Sequence, residues 1–176
     1  TYTWKNSDKY GFVKESEVTN LADQSWDIRL LDGFKNVLPY GVTTMLQANM
    51  STLVDGYKKT EIEKDSGLGI FTLSSILTDR AEPSEALKAT VIWAMGIQAH
   101  QVLLSEKQIP AFEKGNEVYA EDQLKGQRGA YLIHSRQRLQ GSECRSWILV
   151  ADVSQNHAQV FKKIDVIKTN QQLKKQ

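Results

Sequence analysis

The sequence predicts a mainly β, antiparallel two-layer sandwich with a few short helices, and three observations carry that expectation. Several stretches alternate apolar and polar residues at the two-residue period of a half-buried strand, among them WDIRL at 26–30 and YLIHSRQRL at 131–139. Two others, GLGIFTLSSIL at 67–77 and TVIWAM at 90–95, are short, β-branched apolar runs bounded by turn residues. Nowhere do strands alternate regularly with helix-length segments, the spacing that βαβ units and a parallel sheet require.

The chain opens on Thr1, Tyr2, Thr3 and Trp4, already patterned as a strand and without an initiator methionine, which reads as a piece of a longer protein. YGFVKESEVT at 10–19 alternates in part and forms a second strand. Trp26, Ile28 and Leu30 mark a third, which Asp32-Gly33 ends as a turn; Pro39-Tyr40-Gly41 makes a second break. From 44 to about 63 the period changes. Leu46, Met50, Leu53, Val54 and Tyr57 form the stripe of an amphipathic helix over 44–57, with Thr43 or Thr44 as cap and Gly56 costing about 1 kcal/mol relative to alanine. SEKQ at 105–108 resembles a capping box for a short helix that Gly115 stops. The alternating stretches at 131–139 and 147–153 flank a turn at 140–143 and read as a hairpin. Val160, Phe161, Ile164 and Ile167 then give the stripe of a last helix, capped by Ser154 or Asn156 and thinning beyond Lys168. The chain so divides into a sandwich domain at 1–154 and a helical linker at 155–176 leading towards a following domain.

Composition narrows the function. With 40% hydrophobic and 24% charged residues among 176, the chain has the make-up of a globular domain. Its 22 basic and 21 acidic residues leave a net charge of +1 and no concentrated basic face, which argues against nucleic-acid binding. A single cysteine, Cys144, excludes an internal disulfide and a Cys-rich zinc site. No apolar run approaches the roughly 18–20 residues of a membrane-spanning helix.

Few residues are spaced for chemistry. His100, His134 and His157 stand singly, without metal-ligand spacing, so neither metal nor cofactor is expected. There is no nucleophile elbow, and Gly67-Leu68-Gly69 is only a fragment of a phosphate loop, with Thr72 at the third glycine position. Asp79, Glu82 and Glu85 crowd one loop beside Arg80. A glycosidase needs two such carboxyl groups across the scissile bond, but a solvated loop with Arg80 paired to an acid is the plainer reading. Among the tryptophans, Trp93 and Trp147 lie in apolar strands and belong to the core, and core is the better reading for Trp26. Trp4, among polar neighbours, is the surface aromatic on which a sugar ring would stack.

Three stretches together resemble a known family: LDGFKNVLPYG at 31–41, the segment 67–94 with DRAEP at 79–83, and RGAY at 128–131 with WILVADV at 147–153. The pattern resembles the N-terminal β-supersandwich, of galactose-mutarotase-like type, in bacterial cellobiose-phosphorylase-like proteins. The resemblance implies a non-catalytic accessory domain joined through a helical linker to an (α/α)₆ barrel that carries the catalytic acid, and a periplasmic or cell-surface setting. It assigns no catalytic residue here. Asp79, Arg80, Glu82 and Trp4 stand as candidates for binding or interdomain contact. The alternatives are a free-standing carbohydrate-binding module with an oligosaccharide ligand, and a mutarotase-like enzyme using the acidic loop at 79–85. The chain is expected to turn over neither aryl-glucosides nor cellobiose with phosphate in a product assay. Turnover that disappears in Asp79→Asn or Glu82→Gln would overturn this.

Overall fold

The computed structural model describes residues 1–75 and 86–173. In chain order the elements are β1 (Tyr2–Asn6), β2 (Phe12–Thr19), β3 (Trp26–Val37), α1 (Thr44–Asn49), α2 (Ser51–Tyr57), β4 (Lys58–Glu63), β5 (Leu68–Leu73), β6 (Lys88–Met95), β7 (Gln101–Leu103), α3 (Ile109–Glu113), β8 (Gln123–Lys125), β9 (Gly129–Leu139), β10 (Cys144–Asn156) and α4 (His157–Leu173). They form two antiparallel sheets, a large one ordered β1-β2-β10-β6-β5-β4-β8 and a small one ordered β3-β9-β7. The mainly β, antiparallel sandwich is therefore the fold.

Alternation along the strands decides the layering. Phe71, Ile92, Trp147, Leu149 and Ala151 of the large sheet meet Tyr131 and Ile133 of β9 in the central core, with Leu30 and Phe34 of β3 against it. The opposite residues, Leu68, Val91, Trp93 and Val150, point to the other face of the large sheet, where α4 covers them with Ile164 and Ile167. Each of those isoleucines contributes about 1.5–3 kcal/mol by burial. Ala130, Leu132 and Leu103 on the outer face of the small sheet meet Ile109 and Phe112 of α3.

A carboxylate stands between the two sheets. Asp32 of β3 accepts hydrogen bonds from Ser16 Oγ of β2 at 2.8 Å, from Trp147 Nε1 of β10 at 2.7 Å and from its neighbour Gly33 N at 2.9 Å. It also pairs with the Lys14 ammonium of β2. Asp32-Gly33, expected as a turn, is thus mid-strand. The glycine is there for close approach: a Cβ at Gly33 would stand 1.9 Å from the Tyr131 carbonyl oxygen.

Four further expectations are corrected. The strands at 131–139 and 147–153 do not form a hairpin, because β9 belongs to the small sheet and β10 to the large one. Their connection crosses between layers beside the crossing from β2 to β3. The two are laced by Asn20 N to Glu143 O at 2.9 Å and by Asn20 Nδ2 to Gln24 O and Gln140 O at 2.8 and 2.9 Å. The helix over 44–57 is broken at Met50 into α1 and α2, with Thr43 Oγ1 capping the first by accepting from Leu46 N. After Tyr57 the chain enters β4 and does not continue as helix. The capping box at 105–108 is absent: α3 starts at Ile109, with Pro110 in its first turn, and Ser105 Oγ donates to Glu121 Oε1 instead. Trp26 is 52% exposed, because it begins β3 at the edge of the small sheet.

The last helix is capped as one expected alternative has it. Asn156 Oδ1 accepts from Gln159 N at 3.0 Å while Gln159 Oε1 accepts from Asn156 N at 2.9 Å. Ser154, at φ +61°, lies at the register shift in β10. Replacing Asp32 by alanine strands the Lys14 ammonium between the sheets and is expected to cost about 3–5 kcal/mol in urea unfolding. Glu106→Ala, which removes only the exposed pair with Lys35, should cost under about 1 kcal/mol.

Candidate functional site

An open cleft of about 760 Å³ lies at one end of the sandwich, within the range of small-ligand sites. Four segments meet there: the turn between β4 and β5, the connection from β6 to β7, residues 120–122, and the last turns of α4. Each is held by its own polar contact.

The β4–β5 turn closes on Glu63, whose Oε2 accepts from Ser66 N at 2.8 Å and from Ser66 Oγ. Lys168 of α4 pairs with Glu63 at 3.1 Å and with Asp65 at 3.2 Å, and Gln171 Nε2 donates to Ser66 O at 3.0 Å. The helix end is thereby fixed over the turn. Burial alone would raise the Glu63 carboxyl, but the Ser66 donors and the Lys168 ammonium outweigh it and hold it below the usual carboxylate range. Lys163, earlier in α4, pairs with Asp152 at 2.8 Å beneath the helix.

Tyr131 reaches the cleft through the core. Its hydroxyl donates to Gly67 O at 2.7 Å, and its ring occupies the space beside Gly69, where a Cβ would approach Tyr131 Cδ2 to 2.7 Å. Burial pushes the phenol well above its ordinary value, so it stays a neutral donor. The 120–122 segment is set by Ile62 N to Asp122 O at 3.0 Å and Glu121 N to Val102 O at 3.0 Å. The Glu121 carboxylate is spent on Leu104 N, Ser105 N and Ser105 Oγ at 2.7–2.9 Å. Asp122 is bridged by Lys64 at 2.6 Å.

What remains available is amide chemistry. Gln98 and Asn170 line the cleft, and among the described residues neither side-chain amide has a protein partner. Ile62, Ala94, Ile97, Val102 and Ile167 supply apolar lining. His100 stands at the rim, its Nδ1 accepting from Arg136 N at 3.3 Å. An amide presents a donor and an acceptor side by side, the arrangement that pairs with adjacent hydroxyl groups. Among the described residues no group of three His, Cys, Asp or Glu side chains is placed to hold a metal.

His134 lies elsewhere, fully buried on the outer face of the small sheet, with Nδ1 2.7 Å from Gln101 Oε1. Burial, and then the Arg29 and Arg136 charges, hold its pKa below the ordinary value. Of the residues singled out from sequence, Asp79, Arg80 and Glu82 lie outside the described residues. Trp4 is described, but it stands on β1, 53% exposed, packed against Phe34 at 5.4 Å between ring centroids. It does not line the cleft. Gln98 and Asn170 escaped sequence reading because an isolated amide in a connection or a helix end carries no pattern.

No protein-family model matches the chain, and no curated protein matches it.

The Glu63 contact gives a pH dependence with a definite sign. A carboxyl depressed in the folded state stabilises fully above its unfolded pKa of about 4.3 and loses that contribution as pH falls through the folded value. Hydrogen exchange at the end of α4, residues 165–171, is expected to speed up as pH falls below the unfolded carboxyl value, after correction for intrinsic rates, while β9 and β10 stay protected. A uniform change along the chain would contradict this.

Proposed function

We propose that the chain is a non-catalytic accessory domain of a larger carbohydrate-active protein, of glycoside hydrolase or phosphorylase type, and that its cleft holds a neutral sugar. The observation that carries the reading is the pairing of free amides, Gln98 and Asn170, with apolar lining in a cleft of about 760 Å³. A sugar ring offers adjacent hydroxyls to the amides and C–H faces to the isoleucines. Lys64, Asp65 and Asp122 at the rim are already paired with one another or with α4, so no unpaired charge among them demands a charged ligand. In this reading the catalytic groups belong to an (α/α)₆ barrel of the same polypeptide. The charged stretch at 79–84, with Asp79, Arg80 and Glu82, lies outside the described residues and is assigned to the contact with that barrel on its composition alone.

The test is titration of the isotopically labelled chain with glucose, galactose, xylobiose and cellobiose, followed by amide chemical shifts. At least one sugar is expected to bind with a dissociation constant of about 1 mM, equivalent to roughly 4 kcal/mol, and to shift residues 96–101 and 170–171. The double substitution Gln98→Ala, Asn170→Ala should weaken that binding about tenfold, or roughly 1.4 kcal/mol, as the loss of two hydrogen-bonding groups predicts. If no sugar in the panel shifts the cleft, or binding survives the substitution, the sugar reading fails.

A further inference from the structure

Among the described residues the large sheet has seven strands and the small one three, so part of the large sheet's inner face has no layer over it. Among the described residues β3 ends the small sheet and pairs with β9 alone, which leaves a strand of 12 residues whose other backbone edge none of them pairs with. The uncovered surface lies along that edge. Tyr2 and Trp4 alternate with Thr3 on β1 and share the inner face with Lys14 and Ser16, their cross-strand partners on β2. The Lys14 ammonium, paired with Asp32, stands 5.2 Å from the Tyr2 ring centroid, and Trp4 packs on Phe34. Tyr2 and Trp4 thus flank β3 beside Asp32 and Phe34. Tyr2 is 66% exposed, Trp4 53%, Phe12 53% and Val153 47%. Past Phe34 the surface deepens into a groove of about 230 Å³ between Trp4, Phe12, Phe34, Leu38, Ala151 and Val153.

We propose that this edge and the aromatic ledge beside it take up one extended peptide segment, apolar at alternate positions, which adds to β3 as a fourth strand of the small sheet. A free backbone edge selects an extended partner, because only a strand satisfies its N–H and C=O groups in series. The ledge selects the side chains. Tyr2 and Trp4 are two residues apart, about 6.8 Å, the repeat at which an added strand points successive side chains to the same face. The added strand's inward residues close over the two rings and extend the central core, which already includes Phe34. A second copy of the chain fits less well. Pairing two β3 edges brings each copy's large sheet, which reaches out under its own β3 as far as β1, against the other. The ledge is only about two strands wide, roughly 10 Å. The proposal does not depend on the sugar reading.

The test tethers a probe strand. The heptapeptide Thr-Val-Thr-Val-Thr-Val-Thr is joined ahead of Thr1 through a Gly/Ser linker of about ten residues, which spans roughly 17 Å and holds the probe at millimolar effective concentration. Thr1 N sits 2.8 Å from Glu17 O beside the ledge, so the probe starts within reach. The β3 amides that point away from β9 are expected to exchange about tenfold more slowly than with a Thr-Lys-Thr-Lys-Thr-Lys-Thr control. Trp4→Ser in the tethered chain should remove most of that protection, and Trp4 is exposed enough that the fold tolerates the change. Equal exchange with both probes overturns the proposal. So does concentration-dependent protection of β3 in the untethered chain together with a dimeric mass, since the occupant is then a second copy.

Discussion

Asp32 sits between the two sheets with its carboxylate turned away from its own layer, and the alignment of those sheets follows from that placement. Three of its donors come from two strands of the opposite sheet, Lys14 and Ser16 of β2 and Trp147 of β10. Apolar side chains alone would let the layers slide, since dispersion and the hydrophobic effect are nearly indifferent to direction. A carboxylate that must meet an indole N–H, a hydroxyl and an ammonium at once permits one alignment. Desolvation sets against much of the ion pair's attraction, so the arrangement acts more on specificity than on net stability.

With the layers so aligned, Tyr131 crosses the core to donate to Gly67 O, linking the small sheet to the turn that carries Glu63 and Ser66. That turn receives the end of α4. The cleft is therefore built from the large sheet's turn, the small sheet's tyrosine and the helix on the far side, and no single element contains it. Two glycines make the crossing feasible. A Cβ at Gly69 would meet the Tyr131 ring, and one at Gly129 would stand 2.9 Å from Phe71 Cδ1.

The same asymmetry that shelters one end of the sandwich opens the other. Among the described residues three strands face seven, and the surplus inner face carries aromatic residues on β1 and β2 where solvent-facing strands usually carry polar ones. α4 settles the opposite face differently, with Ile164 and Ile167 inward and Phe161 and Val166 left exposed.

The sequence by itself determined the fold class, the longer alternating strands and the caps of the first and last helices to within two residues, because these rest on local periodicity and on side chains that bond their own neighbours. The alternation of Tyr131 and Ile133 is of this kind, and so are the caps, which the sequence narrowed to Thr43 or Thr44 and to Ser154 or Asn156 and the structure places at Thr43 and Asn156. Tertiary structure alone decided which strands pair. β9 and β10 alternate as a hairpin would, yet they lie in different sheets, because a two-residue period records one buried face and not the partner that buries it. It also gave Asp32-Gly33 its meaning. The dipeptide signals a turn by local propensity, but a carboxylate with three donors from the facing sheet and a glycine against the Tyr131 carbonyl hold it mid-strand. The cleft was illegible for the same reason: Gln98 and Asn170 are far apart in the chain, and only the docking of α4 beside the β6–β7 connection makes them neighbours of one cavity.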